Sequence, residues 1–156
     1  MNTLERLEET AFSEGVDVLY YPFDSERIRG LYSDGVIAVN SQVQTTAEKA
    51  CIMAEELGHH YTSHGDILDL SCTENRKQEY RARIWAYKEL LTADGLISAF
   101  KAGCRNRYEI AEYLDLTEAF IDEGLAYYRT RYPEGLKKGA YILYFIPNLR
   151  VICLME

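Results

Sequence analysis

Along the chain, apolar residues recur first at helical spacing, then at strand spacing, then at helical spacing again, and the switches predict the order of the elements. Near the N-terminus Leu4, Leu7 and Ala11 follow a helical period, with Asn2 and Glu5 placed as a capping box and Gly15 as a stop. This predicts a first helix over about 3–14. The pattern then changes. "VDVLYYPF" is rich in β-formers, and "GLYSDGVIAVN" sets Ser33, Asp34 and Gly35 between two apolar runs, which is hairpin chemistry. A small antiparallel sheet is expected there.

Helical spacing returns behind Thr45, which pairs with Glu48 as a second capping box and opens "TAEKACIMAEELGHHYT". Ala47, Ala50, Cys51, Ala54, Leu57, Gly58 and Tyr61 fall on one side of this helix, its expected core face. Tyr80, Ile84, Tyr87 and Leu91 then mark a long amphipathic helix over about 75–92. Three shorter helices follow: "LISAFKAG" closing at Gly103, "RYEIAEYLD" capped by Asn106, and "TEAFIDEGLAYYRTRY" capped by Thr117 and stopped by Pro133. The C-terminal end returns to strand, "AYILYF" and "RVICL" flanking Pro147-Asn148 as a strand pair. Helix, strands, several helices, strands is an α+β order. With 156 residues and 47% hydrophobic content, a single domain spanning 1–156 is expected.

Composition narrows the partners. A formal net charge of −8 and a pI near 5.0 oppose sequence-independent binding to nucleic acid or anionic lipid, which need clustered positive charge. The segment from Tyr108 to Tyr132 resembles two helices joined at Asp115-Leu116-Thr117. The second opens with Glu118, Asp122 and Glu123, which phosphates would repel, so packing rather than DNA reading is expected. Cys51, Cys72, Cys104 and Cys153 form no CxxC pair and read as reduced thiols. The acidic start lacks the basic and apolar run of a secretory signal, and "AYILYFIP" is too short to span a bilayer. A cytoplasmic protein without membrane contact is expected.

The candidate chemistry lies in "AEELGHHYTSHG", which holds all three histidines of the chain, His59, His60 and His64. At about 100° per residue, Glu55 and His59 share one flank of the helix, and Glu56 and His60 share another about 100° away. An H-E-x-x-H helix grips one metal with its two histidines while the intervening glutamate reaches the attacking water as general base. Here the first histidine is replaced by Glu55. Zinc accepts carboxylate oxygen, so Glu55 and His59 remain a ligand pair that needs a third ligand from elsewhere. A second carboxylate in the set would neutralise a divalent ion, weaken its pull on water, and relax the preference for zinc over manganese. The same residues also read as an exposed acidic helix face. Tyr61 and His60 are candidates for stabilising an oxyanion, by proximity alone.

"EKACIMAEELGHHYTSHGDIL", followed by "NRKQEYRARIWAYKELL", resembles the ImmA/IrrE family of metallo-endopeptidases carried by phages and mobile elements, in the form common in Gram-positive hosts. The likeness extends to "GLYSDGVIAVN", "RYEIAEYLDLTEAFIDEGLAYYRTRY" and the closing "AYILYF" and "VICLME". The resemblance implies a zincin-like α+β domain and a divalent metal, usually zinc. It makes Glu56 the general base, His59 a ligand, and Glu79, on the following helix, another. The family's asparagine is Arg83 here and its aromatic is Trp85. Glu55 stands where the family has its other histidine, and three assignments stay open: Glu55 ligates in its place; the site recruits His60 or His64; or the metal site is degenerate and the fold binds a protein without cutting it. The first is favoured. The implied substrate is a helix-turn-helix repressor encoded by the same mobile element.

Overall fold

The structure, a computed structural model, describes residues 1–62 and 72–154, with the backbone alone for 72–74. Its first helix, α1 (Thr3–Ser13), opens on a reciprocal cap. The Asn2 side chain accepts from the Glu5 N–H at 2.8 Å, and the Glu5 carboxylate accepts from the Asn2 N–H at 3.0 Å. Leu4, Leu7 and Ala11 are its buried stripe, as their spacing predicts. The chain gathers into two compact units, Met1–Leu90 and Leu91–Glu156, and the α+β class holds.

In the first unit α1 is followed by β1 (Asp17–Tyr21), β2 (Gly30–Ser33), β3 (Val36–Asn40), α2 (Thr46–Thr62) and α3 (Cys72–Leu90). The β2–β3 hairpin forms where the turn chemistry places it, with Asp34 and Gly35 at φ 50° and 81°. Positive φ at both central positions matches the right-handed twist of the flanking strands. The sheet order is β1-β3-β2, however, and β1 runs parallel to β3, so the sheet is mixed rather than purely antiparallel. Hairpin chemistry dictates only the β2–β3 pairing. The partner of β1 is chosen by burial, because β3 supplies the fully buried Ile37 and Val39 as the central strand.

Thr45 opens α2, its hydroxyl accepting from the Glu48 N–H at 3.1 Å. The buried residues of α2 are Ala50, Met53, Ala54, Leu57, Gly58 and His59, while Ala47, Cys51 and Tyr61 are half-buried. The buried arc is thus wider than a one-sided stripe, since α2 is packed by α1, by the sheet and by α3. Gly58 sets the closest approach to α3: a Cβ there would be driven into the Ala82 backbone. Helix α3 begins three residues before its expected start and ends at Leu90.

The second unit holds α4 (Ala93–Lys101), α5 (Arg107–Leu114), α6 (Glu118–Arg131), β4 (Leu136–Lys138), β5 (Tyr141–Tyr144) and β6 (Arg150–Cys153). Thr92, Asn106 and Thr117 cap the three helices, accepting from the N–H of Gly95, Glu109 and Phe120. The expected C-terminal pair is a three-stranded antiparallel sheet, β4-β5-β6. Strand β4, with both lysines exposed, carries no apolar alternation to announce it. Leu91, Leu96, Ile121, Leu143 and Phe145 form this unit's core, and the Tyr128 hydroxyl donates to the Leu91 carbonyl at 2.7 Å. Phe120 and Ile121 of α6 are spent on packing, and its leading carboxylates Glu118 and Asp122 are held by Arg107 at 3.1 and 2.6 Å. Among the described residues, no helix is long and apolar enough to cross a membrane.

Candidate metal centre

Two helices of the first unit bring the candidate ligands together. The Gly58–Ala82 approach lays α3 against the flank of α2 that carries Glu55 and His59, and Glu79 lies three residues, just under one turn, before Ala82 on α3. One donor atom from each of Glu55, His59 and Glu79 lies within 4.8 Å of the others. The tightest pair is His59 Nε2 with Glu79 Oε1, at 3.2 Å. The donor set of one imidazole and two carboxylates is of the kind that zinc and manganese accept. The other ring nitrogen, His59 Nδ1, is buried and has no hydrogen-bond partner among the described residues, a condition that costs about 1–3 kcal/mol and calls for an explanation. The residues present therefore fit a divalent metal. His59 is 10% exposed at its side chain and Glu79 49%, so the group opens to solvent on the α3 side.

The electrostatics follow from three carboxylates crowded around one ring. Burial works against protonation of His59, but the hydrogen bond to Glu79 and the charges of Glu79, Glu56 and Glu55 outweigh it and hold its pKa above the ordinary histidine value. Glu79 is lowered in return, first by its hydrogen bond to His59. Burial raises Glu55, against the pull of Arg83. Burial also raises Glu56 to about 7; the His59 charge opposes the shift, and Glu55 and Glu79 add to it.

Glu56 sits beside this group but on the strand side of α2. Its Cγ lies 3.3 Å from where a Cβ on Gly30 of β2 would stand, so a side chain at residue 30 would press on it. His60 is turned the same way. Its Nδ1 is 2.8 Å from the Tyr32 hydroxyl, and its Nε2 is 3.7 Å from Glu14. Tyr61 stacks on Trp85, with ring centroids 4.8 Å apart. Neither His60 nor Tyr61 belongs to the converging donor set. His64 lies outside the described residues, so its recruitment has no structural description.

The sequence pattern gives "RKQEYRAR" as a solvated face with ion pairs inside the helix. For Arg83 the structure differs: its Nε donates to Glu55 Oε1 on α2 at 3.4 Å, linking the two helices. The spacing places Arg83 one turn beyond Glu79 on the same face, but it does not name Glu55 as the partner. Tyr32 and Glu14, the partners of His60, carried no such signal.

Residues 12–126, about three quarters of the chain, match the family model described as the IrrE N-terminal-like domain, a peptidase family. The chain belongs to this family. It is a metal-dependent family, and in this member the Glu55, His59 and Glu79 group is the one able to bind a metal among the described residues. Comparison with curated proteins found no match.

Proposed function

We propose that the protein is a cytoplasmic, metal-dependent endopeptidase that cleaves a helix-turn-helix repressor encoded by the same phage or mobile element. The observation that carries the reading is the convergence of Glu55, His59 and Glu79 from two helices within 4.8 Å, with Glu56 adjoining. Glu55, His59 and Glu79 would hold the ion, zinc being the one that the family resemblance implies. A bound divalent metal supplies Lewis acidity to a water and to the scissile carbonyl. Glu56 takes the proton of the attacking water and returns it to the leaving amine. The choice of a repressor as substrate is supported by the resemblance of "AEELGHH" and its flanking segments to the ImmA/IrrE proteins.

Incubation of the purified protein with the repressor of its own element tests the reading. Glu56→Gln is expected to retain stoichiometric metal and lose about 10²–10⁴-fold in cleavage rate. Full cleavage by that variant removes Glu56 from the mechanism. A parent protein that captures the repressor and leaves it intact makes this a binding module of the same fold.

A further inference from the structure

We propose that Arg83 is a positioning residue of the metal centre, and that Glu55 and Arg83 act together as one charge-neutral unit in the place of a neutral ligand. This rests on the metal-centre reading above. Glu55 needs a restraint if it is to face an ion. It stands within 4.8 Å of the Glu79 and His59 donors, so a like charge faces it from α3, and at 34% exposure it has solvent to turn into. Arg83 reaches it from α3 and donates through Nε to one carboxylate oxygen, Oε1, at 3.4 Å, a single bond that leaves the carboxylate with further lone pairs to offer. A guanidinium offers this in a planar, preorganised form that a point charge lacks. One helix therefore delivers both the Glu79 ligand and, one turn later, the cation that restrains the ligand opposite.

The charge count gives the pair a second consequence. A His-His-Glu set carries one negative charge and leaves a divalent ion with net positive charge to act on water. Glu55, His59 and Glu79 carry two and cancel it. With Arg83 joined to Glu55 the set again carries one, so the pull on water is kept although the first histidine is gone.

Zinc dissociation constants, measured by competition with a chromophoric chelator, separate this role from its alternatives in four proteins: the parent, Arg83→Met, Glu55→His and the double variant. Arg83→Met is expected to weaken zinc binding about tenfold when residue 55 is glutamate, because the unrestrained carboxylate turns away. In the Glu55→His background the same change is expected to tighten zinc several-fold, since an arginine without its partner only repels the ion. A cation that is merely nearby gives tightening in both backgrounds, and a purely structural role gives equal weakening in both; either result overturns the proposal. A parent that binds no zinc, or a His59→Ala variant that binds it fully, overturns the metal-centre reading itself.

Discussion

His59 and His60 are adjacent in the chain, yet they leave α2 about 100° apart and meet different chemistry. His59 is buried against α3, its Nε2 at 3.2 Å from Glu79, with Glu55 completing a donor set. His60 faces β2 and α1, where the Tyr32 hydroxyl lies 2.8 Å from its Nδ1 and Glu14 lies near its Nε2. One ring is surrounded by acceptors whose charge a cation would relieve. The other has its hydrogen-bonding needs met by a hydroxyl. Clustering of histidines in sequence is thus a poor guide to ligation; the element packed on each face of the helix decides it.

The largest expected difference between the two faces is in metal content. His59→Ala and Glu79→Ala lose stoichiometric zinc by elemental analysis, and His60→Ala keeps it. Loss of zinc in His60→Ala would erase the distinction. A smaller effect separates the faces by pH. The folded, metal-free protein holds the Glu56 proton up to about pH 7, whereas the unfolded chain releases it near 4.5, so the folded state carries the extra proton between those values. Its stability therefore falls as pH rises through that window, by at most about 3 kcal/mol at 1.36 kcal/mol per unit. Denaturant melts at pH 4.5 and pH 7 are expected to show this fall in the parent and a reduced one in Glu56→Gln. A parent whose stability rises instead would mean that Glu56 is not the group that dominates.

Smaller still is the cost of disturbing the approach that builds the His59 face. Gly58→Ala forces a methyl into the Ala82 backbone and is expected to destabilise by about 2 kcal/mol, as overpacking does, while also weakening zinc binding. Unchanged zinc affinity in a folded Gly58→Ala protein would detach the helix approach from the site. The smallest change belongs to the other face. Tyr32→Phe removes the hydroxyl facing His60 and is expected to cost about 1 kcal/mol with zinc content unaltered. A Tyr32→Phe protein that loses metal would show that the His60 face supports the centre after all.

Much of this was legible before any coordinates. The capping box at Asn2, the caps at Thr45, Asn106 and Thr117, and the Asp34-Gly35 turn form where their sequence signals indicate, because each rests on hydrogen bonds or dihedrals within about four residues; at Thr45 only half of the expected box is seen, since the Glu48 carboxylate accepts from Arg29. The i, i+4 relation of Glu55 and His59 belongs to the same class. The parallel pairing of β1 with β3, the added strand β4 and the contact of Arg83 with Glu55 were not legible. Each joins segments whose proximity depends on which apolar faces bury against each other, and periodicity within one segment does not report that.

At the site, the inventory and the faces are written in the residue order: two glutamates and two histidines on α2 in two flanking pairs, with Glu79 and Arg83 one turn apart on the next helix. Helical geometry leaves no freedom in those relations. That α3 lies on the Glu55 and His59 flank and β2 on the other is settled by packing between elements. The reason is physical: Gly58 lacks the Cβ that would hold α3 away from Ala82, so the buried apolar arc of α2 closes on that side and carries Glu79 and Arg83 to Glu55 and His59.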